Sequence, residues 1–167
     1  MKRQIAWLIT ALVVLAAAGA GVGAWWLARD HAASTLPQIS VYSKGTTVRV
    51  GPYLYCNVID LNDCITDGEQ EQLSVSEDYP VQLSVPTAIA RAPWRLLKVY
   101  ADERNTTTAS YRPDTRLAVT VPTVDPQRGK VVGLVVQLLT LVQDETGELR
   151  DLPHAEWSVR LVWPQSP

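Results

Sequence analysis

Two cysteines, a lone histidine beside acidic residues, a run of carboxylates and three spaced tryptophans are the side chains here whose types and spacing could do chemistry. Cys56 and Cys64 stand as CNVIDLNDC, wider than the CxxC of thiol oxidoreductases, so the pair is expected as a structural disulfide and not a redox centre. Closing a loop of about nine residues contributes roughly 2.6 kcal/mol in the chain-entropy model. His154 has Asp151, Glu156 and Ser158 close in sequence, the ingredients of a hydrolytic triad. No GxSxG elbow accompanies them, and no second histidine lies after His31. His154 is therefore expected as a surface histidine in a turn, with no catalytic residue and no enzyme activity.

Asp60, Asp63, Asp67, Glu69, Glu71, Glu77 and Asp78 form an acidic segment, and no Lys or Arg falls between Arg49 and Arg91. Asp60-x-Asn62 begins like a calcium loop, but Cys64 takes the next ligand position, so no metal is expected. The segment is a solvated loop or, through Asp60, Asp63, Asp67, Glu69 and Glu71, an electrostatic docking surface for a basic partner. Arg91, Arg95, Lys98, Arg104, Arg112 and Arg116 are spread along the middle of the chain and are expected to face solvent. Trp94, Trp157 and Trp163 sit at alternating positions, which fill a core more readily than they line a ligand pocket.

Composition narrows the class further. In 167 residues, 15 Lys and Arg balance 17 Asp and Glu for a net charge of −2, unlike the clustered positive charge of a nucleic-acid binder. Two cysteines and two histidines leave little material for zinc, haem or a redox relay, so no cofactor is expected. A mean hydropathy of zero averages a very apolar beginning with a polar remainder.

Those side chains must be positioned by two kinds of element. From Gln4 to Ala28 no residue is charged, a run of about 37 Å as a helix against a hydrocarbon core of roughly 30 Å. Trp7 at one end and Trp25-Trp26 at the other suit the two membrane interfaces. Lys2-Arg3 places Met1 in the cytoplasm and the rest of the chain outside, where a Cys56–Cys64 bridge can persist. Ala18-Gly19-Ala20 resembles a signal-peptide cleavage site, but the apolar run is too long for one, so a retained signal-anchor over 1–30 is expected. Ala16, Ala20 and Ala24 recur every four residues, and Gly19 and Gly23 form a GxxxG pair, a face on which another helix could pack closely.

After a short linker over 31–37, period-two alternation predicts strands at Gln38–Tyr42, Thr46–Val50, Val81–Val85, Trp94–Tyr100, Thr106–Tyr111, Leu117–Val121 and Trp157–Trp163. Val131–Val142 is apolar on both faces and predicts a central strand or a strand covered by a neighbour. Lys44-Gly45, Arg128-Gly129 and Asp144–Gly147 are turn signals. The expected fold class is mainly β: one transmembrane helix, then an immunoglobulin-like β-sandwich of seven to eight strands over 38–164.

A single span followed by Tyr55-Cys56, Cys64, Val85-Pro86, Pro93-Trp94 and Trp157-Ser158 resembles an actinobacterial envelope family, domain-of-unknown-function family 2771, over most of the chain after Pro37. The resemblance implies an actinobacterial host and an exported or anchored envelope component, and it supplies no catalytic residues. The chain keeps a long span with no lipid-accepting cysteine, which points away from a freely soluble role. The expected function is a non-enzymatic accessory subunit at the plasma membrane, its partners the lipid bilayer and the subunits of an integral membrane complex. The cytochrome bcc–aa3 respiratory supercomplex is the first expected host, with lipid-export or cell-wall machinery as alternatives. A binding module for an envelope lipid or glycan, with a pocket beneath Trp94 or Trp157, is the competing expectation.

Overall fold

The computed structural model describes residues 19, 21, 23, 36–66, 68–144 and 146–164. The chain divides into two units, 1–35 and 36–167. In the first, Gly19, Gly21 and Gly23 are helical and exposed. Trp7, Ala16, Ala20, Ala24, Trp25 and Trp26 lie outside the described residues, as does Asp67. Among the described residues no helix is long and apolar enough to cross a membrane.

The second unit is mainly β. One sheet has four antiparallel strands, β1 (Ile39–Ser43), β2 (Thr46–Val50), β6 (Val81–Ser84) and β9 (Ala118–Val121), in the order β2-β1-β6-β9. Lys44 and Gly45 turn β1 into β2 with φ of 47° and 81°, the two positive values that a two-residue hairpin turn needs to match strand twist. The other sheet comprises β3 (Leu54–Cys56), β4 (Cys64–Ile65), β5 (Glu71–Ser74), β7 (Trp94–Tyr100), β8 (Thr107–Tyr111), β10 (Val124–Asp125), β11 (Gly129–Gln143) and β12 (Leu149–Val162). Its main path runs β4-β3-β12-β11-β7-β8, with β10 against β11 and β5 parallel to β12.

The twelve strands among the described residues exceed the seven or eight expected. The additional strands are β3, β4 and β10, of two or three residues and too short to display a period, and β5, which has one buried side chain in four residues. The first half of β12 was also hidden, because Asp151 and Pro153 read as loop residues.

Alternation sets the core. Ile39, Val41, Val81, Leu83 and Val121 of the first sheet share one buried cluster with Trp94, Leu96, Leu134, Val136, Trp157 and Val159 of the second. Trp94 and Trp157 are fully buried, as core packing requires, whereas Trp163 is only partly so, with the Lys130 ammonium 4.5 Å from its ring. Leu117, expected to point inward with Val119 and Val121, is exposed, because β9 begins after it. As expected, β11 is central, lying between β12 and β7.

These two long strands outrun their neighbours. β7 accompanies β11 only as far as Leu138, and β3 meets β12 only at Ala155 and Glu156. Past Leu139, whose N–H still donates to the Pro93 carbonyl, Thr140–Gln143 and Leu149–Leu152 therefore pair only with each other among the described residues, as a two-stranded ribbon. Its tip is tied by Asp144, whose Oδ1 accepts from the Thr146 and Glu148 amides and the Thr146 hydroxyl, while Arg150 lies 2.6 Å from Oδ2.

Candidate functional site around the disulfide and the bulge in the last strand

Cys56 and Cys64 are bridged, with Cα atoms 4.0 Å apart across the β3–β4 pair. Between them the loop satisfies its own backbone. Asn57 N donates to Asp63 O, Asp60 Oδ1 accepts from Asn62 N, and Asn57 Oδ1 accepts from Ile59 N. Because β3 runs antiparallel to β12, chain leaving Tyr55 toward this loop travels the same way as β12 traced back from Ala155 toward the ribbon. Stapled loop and ribbon thus leave the sheet at the same end.

A bulge in β12 lies at that end. Leu138 pairs with Ala155 but Leu139 with Pro153, so His154 is the extra residue with no opposite number on β11. A bulge bends a strand and re-aims its side chain. The expectation of a surface histidine in a turn is thereby corrected: His154 is 7% exposed, within a strand, its ring edge-on to Tyr55 at 6.4 Å. Its Nδ1 is buried without a hydrogen-bond partner, and burial holds the imidazole below its ordinary pKa. An open cavity of about 390 Å³ adjoins it, lined by Leu36, Tyr55, Asn57, Val58, Asp63, Ile65, His154 and the Cys56 half of the bridge.

The triad residues near His154 in sequence are not brought together. Asp151 is exposed on the ribbon opposite Leu141. The Ser158 hydroxyl accepts from the Gln70 amide at 2.6 Å. Glu156 accepts from the Tyr53 hydroxyl and the Gln137 amide, and burial raises its pKa. These contacts fasten the segment after Gly51 onto β12. Gly68 permits this closeness, since a Cβ there would sit 2.2 Å from the Pro52 carbonyl oxygen.

Asp60, Asp63, Glu69 and Glu71 are exposed, and none makes an ion pair among the described residues. In the same loop Ile59 is 93% exposed, and on the ribbon Leu141 and Leu149 are 63% and 66% exposed. Leu141 opposes Asp151 and Gln143 opposes Leu149, so the two leucines are diagonal neighbours on one face. Sequence reasoning missed the ribbon and the cavity. The signal it had was the length of the apolar run 131–142, more than neighbouring strands could cover.

A family model described as a protein of unknown function, DUF2771, matches residues 32–162, which takes in both sheets, the stapled loop and the ribbon. The chain belongs to the DUF2771 family. It is similar to Uncharacterized protein Rv0875c of Mycobacterium tuberculosis and Uncharacterized protein Mb0899c of Mycobacterium bovis, 64% identical to each over 163 residues. Those alignments cover 98% of this chain and all of each relative. No solved structure matches the DUF2771 chain significantly.

Proposed function

We propose that this DUF2771 protein is a non-enzymatic, membrane-anchored accessory subunit of a larger plasma-membrane complex. In this reading the uncharged run over 4–28 is a retained single-pass anchor, Met1 is cytoplasmic, and the two sheets form an immunoglobulin-like sandwich outside. The observation that carries the reading is the pair of uncovered leucines on one face of the ribbon, Leu141 and Leu149. A two-stranded hairpin in water is marginal by itself, and Leu141 and Leu149 on one face of such a ribbon are surface that a partner would bury. The carboxylates Asp60, Asp63, Glu69 and Glu71, which make no ion pair among the described residues, supply a salt-sensitive steering contact for a basic partner. Gly19 and Gly23, helical in the first unit, suit close approach of a partner helix.

Affinity purification of the full chain in mild detergent, followed by mass spectrometry, tests this. A stoichiometric set of membrane subunits supports it, with the bcc–aa3 supercomplex the first assembly to look for and lipid-export or cell-wall machinery next. Recovery of the chain alone counts against it. Gly19→Leu with Gly23→Leu is expected to weaken the association while leaving the β unit folded. The competing function, binding of an envelope lipid or glycan, has one observation of its own, the cavity at His154.

A further inference from the structure

Beyond any docking role, the cavity beside the disulfide has the make-up of a ligand site. At about 390 Å³ it falls at the small end of the range that encloses organic ligands, roughly 300–1,000 Å³. Leu36, Tyr55, Val58, Ile65 and the Cys56 half of the bridge give it an apolar wall. Val58 and Ile65 are each more than half exposed, so an apolar occupant would cover surface now facing water.

Its polar groups restrict the head of that occupant. His154 is more than nine-tenths buried; its Nδ1 has no partner among the described residues and no surface of its own, so the ring nitrogen left to meet an occupant is Nε2. A neutral imidazole offers one donor and one acceptor, and a hydroxyl, which both donates and accepts, satisfies either tautomer. A carboxylate or phosphate matches only a ring N–H, and it would face the Asp63 carboxylate, which no cation neutralises among the described residues. Asn57 Oδ1 accepts from Ile59 N and so holds the Asn57 side chain in place at the rim.

We infer that this cavity binds the hydroxyl end of a neutral amphiphile, a long-chain alcohol or an acylglycerol, with the hydroxyl at His154 and Asp63 and the chain against Leu36, Val58, Ile65 and the disulfide. The inference does not depend on which complex, if any, the ribbon joins.

The test uses the full chain in nanodiscs of zwitterionic phosphatidylcholine, with two photoreactive probes, hexadecanol and hexadecanoic acid, each carrying a diazirine on the chain. Peptide mapping is expected to place the alcohol label at Leu36 or within 53–66 and 149–157, and the acid label there about tenfold weaker, the size of one lost hydrogen bond. Ile65→Trp, a substitution at an exposed position that fills the cavity, is expected to abolish the label there. Asp63→Asn is expected to bring the acid up to the alcohol. Displacement by unlabelled 1-monooleoylglycerol assigns an acylglycerol, and displacement by unlabelled hexadecanol alone assigns a simple alcohol. Label confined to residues 1–35, equal labelling by acid and alcohol in the unaltered chain, or label in the β unit that survives Ile65→Trp would each overturn the proposal.

Discussion

Trp157 donates its indole N–H to the carbonyl of Pro37 at 2.7 Å. The ring is fully buried in the shared core, so this bond ties the start of the β unit to its centre, two residues before β1 begins. Any pull on the segment preceding Pro37 is therefore met by the core and not by a loop.

Trp157→Phe keeps an aromatic ring there and leaves the Pro37 carbonyl without its donor. A buried polar group stripped of its partner costs about 1–3 kcal/mol. Urea denaturation should register a loss of at least that size, and an unchanged midpoint would show that the indole N–H bond to Pro37 contributes nothing.

The bridge across β3 and β4 should count for more than a contact of its size. Cys56→Ala with Cys64→Ala frees a loop of about nine residues, and the chain-entropy model sets the loss near 2.6 kcal/mol. Chemical denaturation with and without reductant measures it. Thiol alkylation of the folded, unreduced chain should label neither cysteine.

Much of this arrangement was legible beforehand, and the rest was hidden for definite reasons. Thr46–Val50 and Trp94–Tyr100 are expected as strands of five and seven residues, and both are strands with those bounds. β3 and β4 could be foreseen as a disulfide but not as strands, because three and two residues carry no period. His154 sits among polar sequence neighbours and was expected at the surface. What buries it is a bulge and a loop from about ninety residues earlier, neither of which leaves a mark in local sequence. The ribbon's exposed leucines resemble core residues in sequence, since alternation reports a face but not whether another element covers it.

His154 should give stability an acid-sensitive limb. Burial lowers its folded pKa below the ordinary 6.5, so the folded state prefers the neutral ring. Its contribution is whole above about pH 6.5 and is lost as pH falls through the folded value. Relative to the unaltered chain, His154→Phe should therefore gain stability as pH falls through that window. A constant difference between the two across pH would refute the assignment.

Glu156 should act with the opposite sign. Burial raises its folded pKa above the ordinary 4.5, so the folded state prefers the protonated acid. That contribution is whole below about pH 4.5 and is lost as pH rises through the folded value. Glu156→Gln, which keeps hydrogen-bonding groups opposite Tyr53 and Gln137, should gain on the unaltered chain as pH rises. Chemical denaturation at a series of pH values separates the two limbs, because each variant flattens only its own.

The central claim, that the ribbon docks this protein onto a larger membrane complex, is tested most directly by native electrophoresis of gently solubilised membranes from the host. The full chain, 18.4 kDa alone, should migrate within an assembly many times that mass. Leu141→Asp with Leu149→Asp, both on the exposed face of the ribbon, should release it while the folded β unit survives. If the unaltered chain migrates by itself, or the double aspartate variant stays with the large assembly, docking through the ribbon is wrong.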